Sequence, residues 1–160
     1  MKTLIFSLLC LLTISALSAQ SQAIHDLAAA TSDIEDRTSF NLSGSWLESL
    51  TKSDDGNFDT QLESLQILNL PASAGVSFPA LNEDLYDEGF ELLTEMRSGG
   101  SRTEILIKEN TQGITDLVLI AKGDDNFTAI SLSGLIVLDE LEDMNIDVDG
   151  WDNFNGRGRD

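Results

Sequence analysis

Cysteine is almost absent: Cys10 is the only one in 160 residues, and it lies in the first apolar stretch. With residues 1–19 set aside, no disulfide, thiolate nucleophile or zinc–thiolate site can be built. Histidine is as scarce. His25 stands alone, so a Ser–His–acid arrangement has one candidate base and no Gly-x-Ser-x-Gly elbow. Nine basic residues face 28 acids, a net charge of −19, which opposes binding to DNA, RNA or anionic lipid. A phosphate-cradling glycine loop and a His-Glu-x-x-His pair are both missing. After residue 19 no apolar run is long enough to span a bilayer.

What is present begins with a leader. Met1-Lys2 supplies a positive charge, Leu4 to Ile14 an apolar run, and Ala16-Leu-Ser-Ala19 a small-residue end. This pattern predicts a secretory signal peptide over 1–19, cut after Ala19 or, as the rival, after Ser18. Cys10 sits inside the apolar run behind Leu8-Leu9, which does not suit lipoprotein anchoring. Removing the leader takes away one basic residue and no acid. The remainder is long enough for one domain, expected over 20–144, with residues 145–160 as an acidic, glycine-rich flexible tail. An exported chain without disulfides fits a bacterial envelope, periplasmic or surface-exposed, better than a eukaryotic secretory route.

The organising stretch is Arg102 to Ser133. Thr103 to Lys108 alternates, with Ile105 and Ile107 on one side, as a half-buried strand does. Ile114 to Ala121 is apolar on both sides, the mark of a central strand. Phe127 to Leu132 follows. The intervening turns, around Gly113 and Gly123-Asp-Asp-Asn126, are too short for parallel crossovers, so the three form an antiparallel meander. The expected core is Ile105, Ile107, Leu117, Leu119, Ile130 and Leu132.

Upstream, Gln20 to Ala30 reads as a short amphipathic helix carrying His25, and Arg37 to Leu42 as a strand. Ser45-Trp-Leu-Glu48 matches a capping box and opens a helix to Leu50, with Trp46 and Leu47 inward. Phe58 to Glu63 reads as a helical turn. Leu65 to Leu70 reads as a strand stopped by Pro71, with a loop from Ala72 to Pro79. A long helix is predicted from Asn82, as N-cap, to Arg97, with Leu81 and Tyr86 as its hydrophobic staple. Leu85, Gly89, Leu92, Leu93 and Met96 trace its apolar stripe. Its other face would carry Glu83, Asp84, Asp87, Glu88, Glu91 and Glu95, a surface suited to a cation or a basic partner, or simply to solvent. Leu138, Leu141 and Met144 mark a last short helix. Together these elements predict an α+β fold: an antiparallel sheet of about five strands with helices mainly on one face.

The sharpest local motif is Asn145-Ile-Asp147-Val-Asp149-Gly150-Trp-Asp-Asn153. Oxygen ligands at Asn145, Asp147, Asp149 and Asn153 with glycine sixth mimic a calcium loop, but Gly156 stands where the closing bidentate acid belongs. Calcium is therefore the one cofactor the sequence suggests.

The order of patterns resembles a known family. Leu65-Gln-Ile-Leu68, a helix around Phe90-Glu-Leu-Leu93, Arg102 to Lys108, Asp116 to Ile120, and Phe127-Thr-Ala-Ile-Ser-Leu-Ser-Gly134 with its leucine-rich helix resemble the domain-of-unknown-function family 4252 (DUF4252). That resemblance runs from Ala23 to Met144 and implies a small exported protein of Gram-negative bacteria. It implies no activity and no catalytic residue. The expected function is a non-enzymatic binding or structural module of the cell envelope with an envelope protein or ligand as partner. The alternatives are calcium-assisted adhesion through the C-terminal loop and a carboxylate-dependent hydrolase of envelope polymers.

Overall fold

A computed structural model of the chain describes residues 20–44, 47, 52–53, 56–57 and 59–141. The leader, the predicted 45–50 helix apart from Leu47, and the Asn145–Asn153 motif lie outside the described residues. The element order is α1 (Gln22–Ala30), β1 (Thr38–Ser43), β2 (Lys52–Ser53), β3 (Gly56–Asn57), β4 (Gln61–Pro71), a 3-10 turn (Ala72–Ala74), α2 (Phe78–Asp87), β5 (Glu91–Ser98), β6 (Ser101–Asn110), β7 (Gly113–Lys122), β8 (Asn126–Ile136) and α3 (Leu138–Leu141). One six-stranded antiparallel sheet runs β1-β4-β8-β7-β6-β5, and β2 and β3 make a small separate hairpin.

The meander is present and one strand longer than expected. Glu91–Ser98 is β5, paired with β6, and not the second half of a helix. The helix starts earlier, at Phe78: the Ser77 hydroxyl accepts from the Ala80 N–H, and Pro79 fits the first turn. It stops at Gly89, which turns left-handed at φ 90°. Leu92, Leu93 and Met96 kept helical spacing with Leu85 by coincidence, because any short apolar run satisfies several periods. Asn82 is therefore a buried residue inside α2 rather than its cap, and of the expected staple only Leu81 is buried, while Tyr86 is exposed. The Phe58–Glu63 turn is also corrected, since the chain is already extended in β4 from Gln61.

Alternation splits the buried residues into two clusters. Leu68, Leu70, Leu106, Val118, Ile120, Phe127 and Ala129 face α1 and α2, where they meet Ile24, Ala28, Phe78, Leu81 and Leu85. Ile105, Ile107, Leu117, Leu119, Ile130 and Leu132 are buried as expected, but on the opposite face. There they pack with Leu47, Leu62, Leu65 and Ile136, and Leu138 of α3 leans on them. Helices thus touch both faces of the sheet.

Candidate functional site

Along the face toward the helices, side chains change character at mid-strand. Beneath α1 and α2 the cross-strand rows are apolar, as in Ile120, Ala129 and Leu68. One row further, Val118 is opposite Ser131, and Ser131 opposite Gln66. The last row runs Lys108, Asp116, Ser133, Ser64. Ser64, Gln66, Asp116, Ser131 and Ser133 are all buried.

The start of α1 lies beside this polar end. Gln20, just before the helix, donates from Nε2 to Asn41 Oδ1, on the strand next to Gln66. On the other flank, the Gln22 and Ala23 N–H groups donate to the Glu88 carboxylate, which thereby satisfies the open end of the helix. Lys108 Nζ stands 3.9 Å from Glu88 Oε2 and 4.3 Å over the Phe90 ring.

The hydroxyls of Ser64 and Ser133 bond each other, and Thr115 Oγ1 donates to Asp116 Oδ2 at 2.9 Å. Within this group Asp116 Oδ1 and Gln66 Oε1 are buried acceptors without a partner among the described residues. Burial pushes the Asp116 carboxyl above the ordinary aspartate value, while the Thr115 hydroxyl and Lys108 oppose that push and Glu63 and Glu88 reinforce it.

Two bulges frame the same end. Glu63 is the extra residue of β4 between Leu62 and Ser64, and Thr115 the extra residue of β7 between Ile114 and Asp116. Between them Gly134 of β8 has φ 135°, and a Cβ there would stand 2.0 Å from the Gln61 carbonyl oxygen. Glycine is thus what lets β4 and β8 close up across the bulge. Glu63, Asn110, Gln112, Thr115, Gly134 and Leu135 line an open cleft of about 270 Å³. Asn110 Oδ1 accepts from the Gln112 N–H at 2.7 Å and shapes the turn at its rim.

A second polar knot serves the packing of α2. Glu104, 1% exposed, is ion-paired with Arg102 and accepts from Asn82 Nδ2. Arg102 stacks over Phe78 at 5.1 Å and lies 3.0 Å from Glu95.

Of the residues singled out in the sequence, His25 is exposed on α1. Asn145, Asp147, Asp149 and Asn153 fall outside the described residues, and among those described no group of three or more His, Cys, Asp or Glu could hold a metal ion. The acidic helix face does not exist as one surface. Glu83, Asp84 and Asp87 stay on α2, Glu88 turns to cap α1, and Glu91 and Glu95 belong to β5. The Asp116 group was missed, although one signal was available. Gln66 has the same strand parity as Leu68 and Leu70, and Asp116 the same parity as Val118 and Ile120, so each sits where alternation calls for an apolar residue.

No helix among the described residues is long and apolar enough to cross a membrane. A family model, domain of unknown function DUF4252, matches residues 31–144. Neither the curated proteins nor the solved structures contain a match to the chain. The chain belongs to the DUF4252 family, whose match covers the whole sheet and α2 and begins just after α1.

Proposed function

We propose that this protein is an exported, non-enzymatic module that binds a component of the Gram-negative envelope at the cleft between β4, β7 and β8. Export rests on the leader pattern of residues 1–19. The observation that carries the site is the pair of bulges. Glu63 and Thr115 leave the regular ladder on either side of Gly134, and this opens a polar cleft at an otherwise regular sheet end. Bulges of this kind re-aim side chains beside functional sites. The cleft walls offer a carboxylate, amides and a hydroxyl, a set that suits a ligand rich in hydrogen-bond donors. The hydroxyls at this end are engaged within the protein, which favours binding over catalysis: Ser64 and Ser133 bond each other, and the Thr115 hydroxyl donates to Asp116.

The test compares the parent with Glu63→Lys, a charge reversal at an exposed position. Each is immobilised and exposed to an envelope extract. Components held by the parent should be lost from the variant. Retention of the same set by both would reject the cleft as the binding site.

A further inference from the structure

The two edges of the sheet are protected very differently. β5 carries Glu91, Glu95 and Arg97 and is bulged at Leu93, the usual defences against pairing with another strand. β1, Thr-Ser-Phe-Asn-Leu-Ser, has no charge, no proline and no bulge, and all six residues pair in unbroken register with Asn69 to Ser64 of β4. Its outer side has no partner strand among the described residues. Phe40 is 49% exposed there. Phe40 opposes Ile67 and Leu42 opposes Leu65, so the apolar face that holds Ile130 and Leu132 continues to this edge and ends in the open.

We propose that two copies of this chain pair antiparallel along β1, joining their sheets into one. The strand itself admits this partner: Phe40 and Leu42 lie on one face and are self-complementary under a two-fold axis. Copies this acidic can approach along a neutral strip, and β1 is one. A basic partner would find no acid on the strand to pair with. A two-fold axis normal to the sheet keeps each face on its own side, so residues of equal parity oppose one another. Centred on Asn41, the register sets Phe40 against Leu42 twice and Ser39 against Ser43 twice, and it buries the exposed ring. The acidic turn Asp33 to Asp36, just before β1, then falls at opposite ends of the joint. At about 3.3 Å per residue the two turns are on the order of 30 Å apart, well beyond the screening length. Parallel pairing would bring them together.

The experiment measures mass by light scattering over a concentration series, on protein purified after expression of the whole sequence. The parent should approach twice the mass of one chain. Phe40→Glu should weaken the dimer roughly tenfold or more, and Ser39→Glu, at an exposed position outside both core clusters, should do the same with circular dichroism unchanged. Leu93→Glu on β5 should leave the dimer intact. A single-chain mass for the parent at every concentration overturns the proposal, as does a dimer that survives both β1 variants and dissociates with Leu93→Glu.

Discussion

On the face that carries α1 and α2, apolar side chains stop halfway along the strands and give way to Gln66, Ser131, Ser133, Ser64 and Asp116. On the opposite face they continue from Ile105 and Ile107 through Leu117, Leu119, Ile130 and Leu132 to Leu65 and Leu62. The same strands supply both faces, so the difference is one of what each face must meet. One meets two helices and, at their edge, the start of α1, where Gln22 bonds Glu88 and the preceding Gln20 bonds Asn41. The other meets apolar partners such as Leu47 and Leu138. A sheet can thus keep a full hydrophobic core on one side and place a buried polar group of residues on the other, past the apolar rows that its helices cover.

The largest expected effect tests whether the two faces are equally firm. Leu106→Ala on the helix side and Leu117→Ala on the other remove fully buried side chains, and each should cost about 2–5 kcal/mol in urea unfolding. A loss well under that range for Leu117→Ala alone would show that its face is loosely covered and break the symmetry between the two cores.

Next in size is Gly134→Ala. The added methyl would meet the Gln61 carbonyl at 2.0 Å, so β4 and β8 must part at the bulge, for a loss of roughly 1–3 kcal/mol. Parent-like stability would mean that the close approach at Gly134 does not hold the cleft in shape.

Asp116→Asn probes the polar rows directly. Burial raises the folded-state pKa of this carboxyl, so the folded chain binds the proton more tightly than the unfolded one, and stability falls as pH rises from the ordinary aspartate value through the raised one. The asparagine variant removes this slope. It should match the parent closely in acid and gain on it toward neutral pH, as read from melting temperatures across a pH series. A parent advantage that grows with pH would reverse the sign and remove the burial argument.

The smallest effect is expected at Glu140, where the Asp59 and Thr60 N–H groups hold the carboxyl below its ordinary value. Its stabilisation is present above the unfolded-state pKa and is lost as pH falls through the lowered one. Glu140→Gln should therefore trail the parent slightly at neutral pH and converge with it in strong acid. A constant gap across the series would trace the difference to something other than ionisation.

Much of the frame was legible because strand alternation is a local property. β1, β6, β7 and β8 and the pairing of the last three follow from short apolar runs and short turns. The six core residues named from that pattern are buried. The segment from Asn82 to Arg97 was misread because Leu92, Leu93 and Met96 fit a helical stripe. Gly89 marked the break, and pairing with β6 settled the matter. The candidate site was not legible, since Asp116 and Gln66 look like ordinary interruptions of apolar strands. They became neighbours of one polar group only when β8 was inserted between β4 and β7.

The sequence by itself determined the scarcity of thiols and imidazoles, the acidity, the leader pattern and the antiparallel meander. These depend on composition or on contacts a few residues apart. The tertiary structure alone decided that α1 and α2 cover the face opposite the expected core, that Glu88 caps a helix 65 residues away from it in the chain, and that Glu63 and Thr115 flank Gly134. Each of these joins residues whose separation leaves no periodic trace. Short-range pattern fixes which way a side chain points, and only the packed sheet fixes what it points at.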